Sequence, residues 1–278
     1  MKIIVIIVFY NPSEDCLRHT ITVANTFSTI VIDNSDKRLI GDELPFRYIC
    51  NYSNVGIAKA QNIGIVKAKQ MGATHVLFLD QDSKIDNDSI ELLITEFNEV
   101  RRIDQTCVAI GPLIVNKDTG VPYKNTLHGE KRMKVSTIIS SGMLADINAF
   151  DAVGLMEEQL FIDVVDHEWC WRCVSKGFSI YLTSKVTLPH MVGVGVRRFC
   201  GIEFLWASPS RYYYKYRNSL WMLPRPYVPF RWKFRTMIRL ALDYCIFMLW
   251  SLFSSEKRIC FSNASKGIFD GLFKKKGL

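Results

Sequence analysis

The sequence predicts an α/β fold built on a largely parallel β-sheet, and three observations support this fold class. The run Lys2–Phe9 is continuously apolar, which is typical of a strand that is covered on both faces. Stretches with helical spacing of apolar residues lie between further short apolar runs. Turn residues follow each run, so strands and helices alternate along the chain.

Four strands are predicted in the first part of the chain. They cover residues 2–9, 29–32, 46–49 and 75–79, and each is followed by a polar turn. Because parallel strands share one carboxyl edge, we expect Asn11, Asp33 and Asp80 to lie together at the edge where such sheets bind ligands.

Three helices are predicted from apolar periodicity and end signals. They cover residues 57–70, stopping before Gly72; residues 90–100, with Ser89 as N-cap; and residues 166–176, closed by Gly177. Asp166 lies at the start of the third helix, where a carboxylate can act as the N-cap or as a general base held by a rigid helix end.

The third helix carries further polar and aromatic side chains. Glu168 and Arg172 are four residues apart, so we expect them to pair on the helix surface. Trp169 and Trp171 are interpreted as core residues or as sugar-stacking residues.

The charge of the 278-residue chain is uneven. Residues 211–278 carry 14 basic and 3 acidic residues, whereas residues 1–210 carry 21 basic and 24 acidic residues, which together give +8. A basic C-terminal region indicates an anionic partner, either a membrane surface or nucleic acid.

Residues 240–253 form an apolar run within this basic region. The run has 14 residues, whereas a spanning helix needs about 20. Cations flank it on both sides, which favours an interfacial helix on an anionic leaflet. A helical cap packed on the domain is the alternative, and the two readings are compatible.

The eight cysteines are scattered, and no secretory signal is visible. A reduced, cytosolic chain is therefore expected. Cys170 and Cys173 form a CxxC without a second pair, so they are interpreted as buried helix thiols instead of zinc ligands.

Asp80 and Asp82 follow the fourth strand with one residue between them. In an extended chain such side chains point the same way, and their repulsion is relieved when Mg²⁺ or Mn²⁺ binds between them. Two solvated turn acids are the alternative.

Four other segments contain candidate binding residues. Gly56, at a helix start, lets exposed N–H groups approach a phosphate or sugar oxygen, although an NxG is also a common turn. His190 is either structural or a third metal ligand. Arg197, Arg198 and the basic stretch from Arg211 can donate to a diphosphate or form a solvated basic face.

Eight short motifs stand in order over residues 1–220: IIVFYNP, VIDNSD, NVGIAKAQNIG, FLDQDS, ISSGMLAD, FIDVVDHEWCWR, LPHMVG and RYYYKYRN. Together they resemble the bacterial inverting glycosyltransferases of family 2, and most of all the rhamnosyltransferases that build O-antigen or capsular polysaccharide. The resemblance implies a GT-A fold, Rossmann-like with a mostly parallel sheet flanked by helices. It divides the chain into a nucleotide half (1–115), an acceptor half (116–210) and a basic, helical, membrane-associating region (211–278).

The resemblance also implies roles for individual residues. It gives nucleotide and donor contacts to Asn11, Pro12, Asp33, Asn54, Gly56, Lys59, Asp80 and Gln81. It gives the metal site to Asp80 and Asp82, with His190 as a metal or diphosphate contact. It gives acceptor contact to Gly142, to which Trp169 is added as a stacking residue. Asp166 matches the catalytic base; Glu168 and Asp163 are the alternatives, because many relatives have Glu-Asp where this chain has Val165-Asp166.

The function implied is transfer of L-rhamnose from dTDP-rhamnose to a hydroxyl of a lipid-linked oligosaccharide, with inversion, at the inner face of the bacterial cell membrane. A UDP- or GDP-sugar donor is the alternative, and so is a non-enzymatic protein that binds nucleic acid or glycan. A sugar nucleotidyltransferase is disfavoured because FYNPSED lacks its Gly-rich loop, and GxGxxG and P-loop signatures are missing too.

Overall fold

The computed structural model of the chain describes residues 1–38, 41, 43–117, 119–122, 130–190, 195–199, 202–206 and 208–273. For residues 190, 195–199 and 202–206 it describes the backbone only. The strands in these ranges are β1 (Ile3–Phe9), β2 (Thr29–Asp33), β3 (Arg47–Cys50), β4 (His75–Asp80), β5 (Cys107–Asn116), β6 (Arg132–Val135), β7 (Leu144–Asp146), β8 (Ser179–His190), β9 (Gly195–Phe199) and β10 (Ile202–Trp206). The helices are α1 (Glu14–Ala24), α2 (Ile57–Gln70), α3 (Asn87–Ile103), α4 (Ala149–Val153), α5 (Val165–Ser175), α6 (Pro209–Met222), α7 (Phe230–Trp250) and α8 (Ser255–Phe273), with a 3₁₀ turn at Glu158–Leu160.

Eight of the described strands form one sheet in the order β3-β2-β1-β4-β7-β5-β8-β6. Strands β3, β2, β1 and β4 are parallel to one another, and β5 is parallel to β8. Strands β7 and β6 run antiparallel to the strands beside them. The predicted α/β fold is confirmed, and the sheet is mixed: among the described strands it has four parallel and three antiparallel pairings.

Both faces of the sheet are covered, which explains the continuous apolar run of β1. Ile4 and Ile6 belong to a core that includes side chains of α2, α4 and α5. Val5 and Ile7 belong to a second core with side chains of α1 and α3. Successive residues of a strand point to opposite faces, so a strand between two helical layers needs apolar residues at every position.

The predicted helix boundaries agree with the structure at α2 and differ at α3. Helix α3 begins at Asn87, and its N-cap is Asp86, whose carboxylate accepts the N–H of Ser89 at 2.7 Å. The assignment of Ser89 as N-cap was wrong. Asp86 has the extended backbone of an N-cap residue, and its side chain accepts the N–H at position N3, which is that of Ser89.

The last three helices pack on one another around a third, smaller core that contains Tyr212, Tyr216, Leu240 and Phe247. Among the described residues, no helix combines the length and apolarity that crossing a membrane requires.

The two thiols of the CxxC, Cys170 and Cys173, are fully buried in α5, as predicted. Burial raises the pKa of both thiols.

Candidate active site

The candidate site lies at the carboxyl edge of the parallel strands. Asp80, the last residue of β4, lies beside Val8 of β1, and Asp33, the last residue of β2, lies beside Phe9. Asn11 follows β1 directly and has a left-handed backbone with φ 46°. The three polar residues therefore share one edge, as the strand pattern predicts.

The turn after β4 is fastened to the turn after β1. The N–H of Tyr10 donates to Gln81 Oε1 at 2.8 Å, and Gln81 Nε2 donates to the Tyr10 carbonyl at 3.3 Å. The N–H of Ser83 donates to the Asp80 carbonyl at 3.0 Å. Gln81, expected to contact the donor, uses both ends of its amide to hold the turn that carries Asp80 and Asp82.

Two other carboxylates, those of Asp82 and Asp166, lie near Asp80. Burial raises the pKa of Asp80 to about 7; repulsion from Asp82 and Asp166 adds to the rise, and Arg211 partly offsets it. A cation at this point would relieve the repulsion, and carboxylate oxygens are ligands that Mg²⁺ and Mn²⁺ prefer.

The carboxylates of Asp80 and Asp82 fit a cation site whose remaining ligands come from the substrate. No group of three or more His, Cys, Asp or Glu side chains forms a metal centre within the part of the chain that the structure describes. Mg²⁺ is usually held by one or two carboxylates together with substrate phosphates, and Asp80 and Asp82 supply that number.

Asp166 lies in the first turn of α5, with its side chain 21% exposed. Its Oδ2 accepts the N–H of Ser140 at 3.2 Å, and its Oδ1 lies 2.9 Å from His167 Nδ1. Burial alone would raise the pKa of Asp166, but the charge and hydrogen bonds of His167 and the N–H of Ser140 outweigh it, and the pKa lies below its usual value. Asp166 is therefore ionised at neutral pH. The suggested N-cap role was wrong, because the cap is Val164.

Glu168 lies in the interior, with a side chain 1% exposed. Its Oε1 accepts Arg172 Nε at 2.9 Å, Arg225 Nη1 at 2.8 Å and the Tyr227 hydroxyl at 2.6 Å, and its Oε2 accepts Arg172 Nη2 at 2.8 Å. The predicted pair with Arg172 exists, but the surface location was wrong. A carboxylate enclosed by two guanidinium groups and a phenol cannot reach an acceptor hydroxyl, so the alternative base Glu168 is corrected to a structural residue.

Trp169, expected to stack on an acceptor sugar, is fully buried. Its ring stacks on Phe150 with centroids 4.8 Å apart, and its Nε1 donates to the Gly154 carbonyl at 3.1 Å. The ring and its polar atom are buried in the core, so the acceptor assignment of Trp169 was wrong.

Gly142 lies in a tight turn before β7 with φ +81°. Its N–H donates to the Phe78 carbonyl at 2.8 Å, and a Cβ here would lie 2.6 Å from Pro112 Cγ. Glycine is thus required to bring the Ser140–Gly142 turn close to β4.

The carboxylate of Asp33 supports the turn that follows β2. It is fully buried; its Oδ1 accepts the N–H of Ser35 at 2.8 Å, and its Oδ2 accepts the hydroxyl of Tyr48. Contact with a nucleotide would require Tyr48 to move.

The Asn54–Lys59 segment is tied to the same edge of the sheet. Asn34, which follows β2, donates from Nδ2 to the Gly56 carbonyl at 3.2 Å, and the N–H of Gly56 donates to Asn54 Oδ1 at 3.0 Å. The side chains of Asn54 and Lys59 are exposed. These two side chains are thus free to face a ligand.

The start of α2 differs from the sequence expectation of exposed N–H groups. The N–H of Ile57 donates to the Phe161 carbonyl at 2.7 Å, so a protein oxygen occupies this donor.

Four further residues of the predicted site follow a strand or lie within one. Pro12 is partly buried after Asn11. His190 is paired with Asn116 in the backbone register at the end of β8, and Arg197 and Arg198 lie in β9. The side chains of these last three lie outside the described residues.

Sequence reasoning missed the pairing of Arg211 with Asp163. Arg211 Nη2 lies 2.6 Å from Asp163 Oδ1, and its Nε lies 3.2 Å from the same oxygen. Burial lowers the pKa of Arg211, but attraction to Asp163, Asp80 and Asp166 outweighs it. The guanidinium therefore stands among the site acids. The basic motif RYYYKYRN signalled Arg211, but nothing local signals a partner 48 residues away.

Known proteins share both sequence and fold with this chain. Residues 4–146 match the family described as Glycosyl transferase family 2. The chain is 33% identical over 256 residues to the dTDP-rhamnosyl transferase RfbF of Shigella flexneri, and the alignment covers 85% of each chain.

Two solved structures resemble the fold. GalNAc-T7 with UDP, GalNAc and Mn²⁺ has a TM-score of 0.57 and 15% identity over 84% of this chain. TarS residues 1–349 of S. aureus, in complex with UDP-GlcNAc, has a TM-score of 0.52 and 14% identity over 98% of this chain. The chain spans 53% of the length of the first and 81% of the second. At these identities the likeness concerns the fold, which is GT-A-like as predicted.

Proposed function

This chain belongs to glycosyl transferase family 2 and is a glycosyltransferase, and from that premise we propose that it transfers L-rhamnose from dTDP-rhamnose, with inversion, to a hydroxyl group of a lipid-linked glycan. The donor rests on the 33% identity to RfbF. The observation that carries the chemistry is that Asp166 and Asp80 both bond to the Ser140–Ser141 segment, so that Asp82 and Asp166 lie near enough to Asp80 to raise its pKa.

Asp166 is the proposed general base. It is ionised at neutral pH and is oriented by His167 and Ser140, so its free lone pairs can accept the proton of an acceptor hydroxyl. Positive charge develops on the anomeric carbon as its bond to the diphosphate oxygen stretches. The acceptor oxygen attacks from the opposite face, which inverts that carbon.

Asp80 and Asp82 are the proposed ligands of Mg²⁺ or Mn²⁺. When bound, such a cation neutralises negative charge on the departing diphosphate. Arg211, held by Asp163, places a guanidinium beside the same acids, and guanidinium groups bind phosphate oxygens in a bidentate manner.

A lipid-linked acceptor agrees with an apolar face on α7. Phe230, Phe234, Met237, Ile238, Leu242, Met248 and Leu249 are exposed, from 40% for Met237 to 78% for Phe230. On a helical projection they fall on one side, opposite the buried Leu240, Asp243 and Phe247.

The cations of α7 indicate what covers this face. Arg231, Arg235 and Arg239 are exposed and recur every fourth residue, so they line one border of the apolar side. An apolar stripe with a basic border suits an anionic lipid bilayer. We propose that α7 lies at the surface of the cytoplasmic leaflet of the membrane, with its apolar side towards the lipid tails.

A panel of dTDP-, UDP- and GDP-sugars tests the donor. Purified protein is incubated with each sugar nucleotide, a divalent cation and a lipid-linked glycan, and the released nucleoside diphosphate is measured. We expect dTDP-rhamnose to be consumed fastest. Exclusive use of a UDP- or GDP-sugar would reject the proposed donor and leave the enzyme class intact.

Replacement of Asp166 tests the base. We expect Asp166→Asn to lower kcat by about 10²–10⁴-fold with donor binding retained, because the amide cannot accept the proton. Asp151→Asn, which removes an exposed acid paired with Lys69, is the control and should be as active as wild type. Equal turnover by Asp166→Asn and wild type would refute the role.

Replacement of Asp82 tests the cation site. Calorimetric titration with dTDP should show tighter binding with Mn²⁺ than without it in wild type, and no such difference in Asp82→Ala. An unchanged response to Mn²⁺ in the variant would exclude Asp82 as a ligand.

A further inference from the structure

The segment Leu160–Val164, here called the base loop, has an unusual backbone. Phe161, Asp163 and Val164 have φ between 65° and 67°, in the left-handed region that side-chain-bearing residues rarely adopt. The N–H of Ile162 donates to the Leu160 carbonyl at 2.7 Å and closes a γ-turn of the rarer hand. Such a conformation costs free energy and persists only where surrounding contacts determine it.

The base loop connects two parts of the site. Val164 is the N-cap of α5, two residues before Asp166, and its carbonyl accepts the N–H of Glu168 at 2.8 Å. At the other end, Phe161 accepts the N–H of Ile57 at the start of α2. A shift of this loop would therefore move the proposed base.

Asn218, which is fully buried in α6, holds the base loop from outside. Its Nδ2 lies within hydrogen-bonding distance of three loop carbonyl oxygens: Leu160 at 2.9 Å, Ile162 at 2.7 Å and Asp163 at 3.2 Å. In this left-handed loop the three carbonyls turn towards the Asn218 side chain. Its amide nitrogen supplies hydrogen-bond donors there without adding a charge.

Arg217 orients that amide. Its Nε and Nη2 donate to Asn218 Oδ1 at 3.0 and 2.8 Å, which fixes the amide with its nitrogen towards the loop. The same Nη2 also donates to the Gln159 carbonyl at 2.7 Å and the Leu160 carbonyl at 3.1 Å. The guanidinium packs over the rings of Tyr214 and Trp221, which limits its movement.

We propose that Arg217 and Asn218 are positioning residues that hold the base loop in its strained conformation and so place Asp166 for proton abstraction. The proposal rests on the proposed function of Asp166 as base. It gives the C-terminal region a part in the chemistry, because α6 lies within that region.

Two variants test the pair. Asn218→Ala removes the donors to the loop, and Arg217→Lys keeps the charge but loses the fork that orients Asn218. We expect kcat to fall about 10²-fold in Asn218→Ala and by a smaller factor in Arg217→Lys, while the Kd of dTDP with Mn²⁺ stays within about threefold of wild type. The split arises because the proposed cation ligands lie at the end of β4 and in the turn after it, which Arg217 and Asn218 do not contact.

The matched control is Tyr216→Phe on the same helix. It removes the hydrogen bond of 2.8 Å from the Tyr216 hydroxyl to the Leu240 carbonyl of α7 and leaves the contacts of Arg217 and Asn218 with the loop intact, so wild-type kcat is expected. A comparable loss of kcat in this control would overturn the proposal, since α6 as a whole would then be responsible.

Further outcomes separate this inference from the proposed base. Wild-type kcat in both variants, or equal factors lost in kcat and dTDP affinity, would overturn the positioning role. If Asn218→Ala does not fold, Arg217→Lys is judged by the same criteria. Asp166→Asn is assayed beside them. If Asp166→Asn is inactive while Asn218→Ala and Arg217→Lys are fully active, only the positioning role is rejected. If Asp166→Asn is fully active, the role of Asp166 as base is rejected.

Discussion

At the scale of single residues, environment gives the same carboxyl group different properties. Asp80 is half-buried beside like charges, and its pKa rises to about 7. Asp166 meets hydrogen-bond donors, and its pKa falls. Glu168 is enclosed by guanidinium groups in the interior. Position in the sequence does not distinguish these acids, but their partners do.

Asp104, after α3, is a carboxylate with a purely structural role. Its Oδ1 accepts the hydroxyl and N–H of Thr106 at 2.6 and 3.0 Å, and its Oδ2 accepts the hydroxyl of Tyr181 at 3.0 Å. These bonds, that of the Thr106 hydroxyl foremost, hold the pKa of Asp104 well below its usual range.

We predict that Asp104→Asn lowers the free energy of unfolding at pH 7 by about 1 kcal/mol, because charged acceptors form stronger hydrogen bonds. A depressed native pKa stabilises the fold above the unfolded pKa of about 4, and this contribution is lost as pH falls through the native pKa. The difference between variant and wild type should therefore shrink below about pH 4 in urea titrations. A difference that stays constant down to pH 3 would contradict this, and Asp151→Asn should show none.

At the scale of elements, the start of α2 depends on another segment of the chain. Gly56 is its N-cap with φ +85° and provides no side-chain cap. A Cβ at this position would lie 2.6 Å from the ring of Phe161 and 2.7 Å from its carbonyl oxygen. The absence of a side chain lets the base loop approach closely enough to accept the N–H of Ile57.

Gly56→Ala should lower the free energy of unfolding by more than about 2 kcal/mol and weaken dTDP binding, because strain at positive φ and steric overlap add. Gly177→Ala is the matched control: it has the same φ of +85° with no atom within 4 Å of the added Cβ. It should cost about 1 kcal/mol in urea unfolding and leave binding unchanged. Equal costs for both variants would show that overlap with Phe161 is unimportant.

At the scale of the whole molecule, the C-terminal helices join the catalytic part to the proposed membrane face. Helix α6 holds the base loop on one side and packs on α7 and α8 on the other, where Lys215 pairs with Asp243 at 2.7 Å. Leu252 and Phe253, just after α7, extend its apolar face and are 72% and 87% exposed. The packed cap and the interfacial helix, alternatives in the sequence, are compatible in this arrangement.

Binding to lipid vesicles tests the proposed face of α7. Replacing Arg231, Arg235 and Arg239 by Gln should weaken binding to phosphatidylglycerol vesicles by about 10²-fold at low salt, since each cation contributes about 1 kcal/mol near an anionic surface. Phe234→Glu with Leu242→Glu should reduce binding to anionic and to zwitterionic vesicles, because it disrupts the apolar side.

The control for the apolar face of α7 is Ile103→Glu. Ile103, the last residue of α3, is also an exposed apolar residue but lies outside α7. It should bind vesicles as wild type does. Vesicle flotation in which wild type stays unbound at low salt would reject the membrane proposal, with the glycosyltransferase class unaffected.

The sequence by itself determined strands β1 to β4, helix α2 and the polar edge at Asn11, Asp33 and Asp80, but not β5. These follow from local signals: apolar periodicity reports which faces are covered, and turn residues mark where strands end. Helix α1 has no counterpart among the predicted helices, because its Thr and Ile residues favour strands and mask the helical spacing. The ordered motifs also sufficed to identify the enzyme family.

Only the tertiary structure decided which of the candidate side chains face the site. It placed Glu168 and Trp169 in the core and paired the Gln81 side chain with the backbone of Tyr10. It also brought Asn218 into contact with the base loop, about 55 residues earlier in the chain. The physical reason is that a polar group's role is set by its long-range partners and by its access to water, and neither is encoded in the spacing of neighbouring residues.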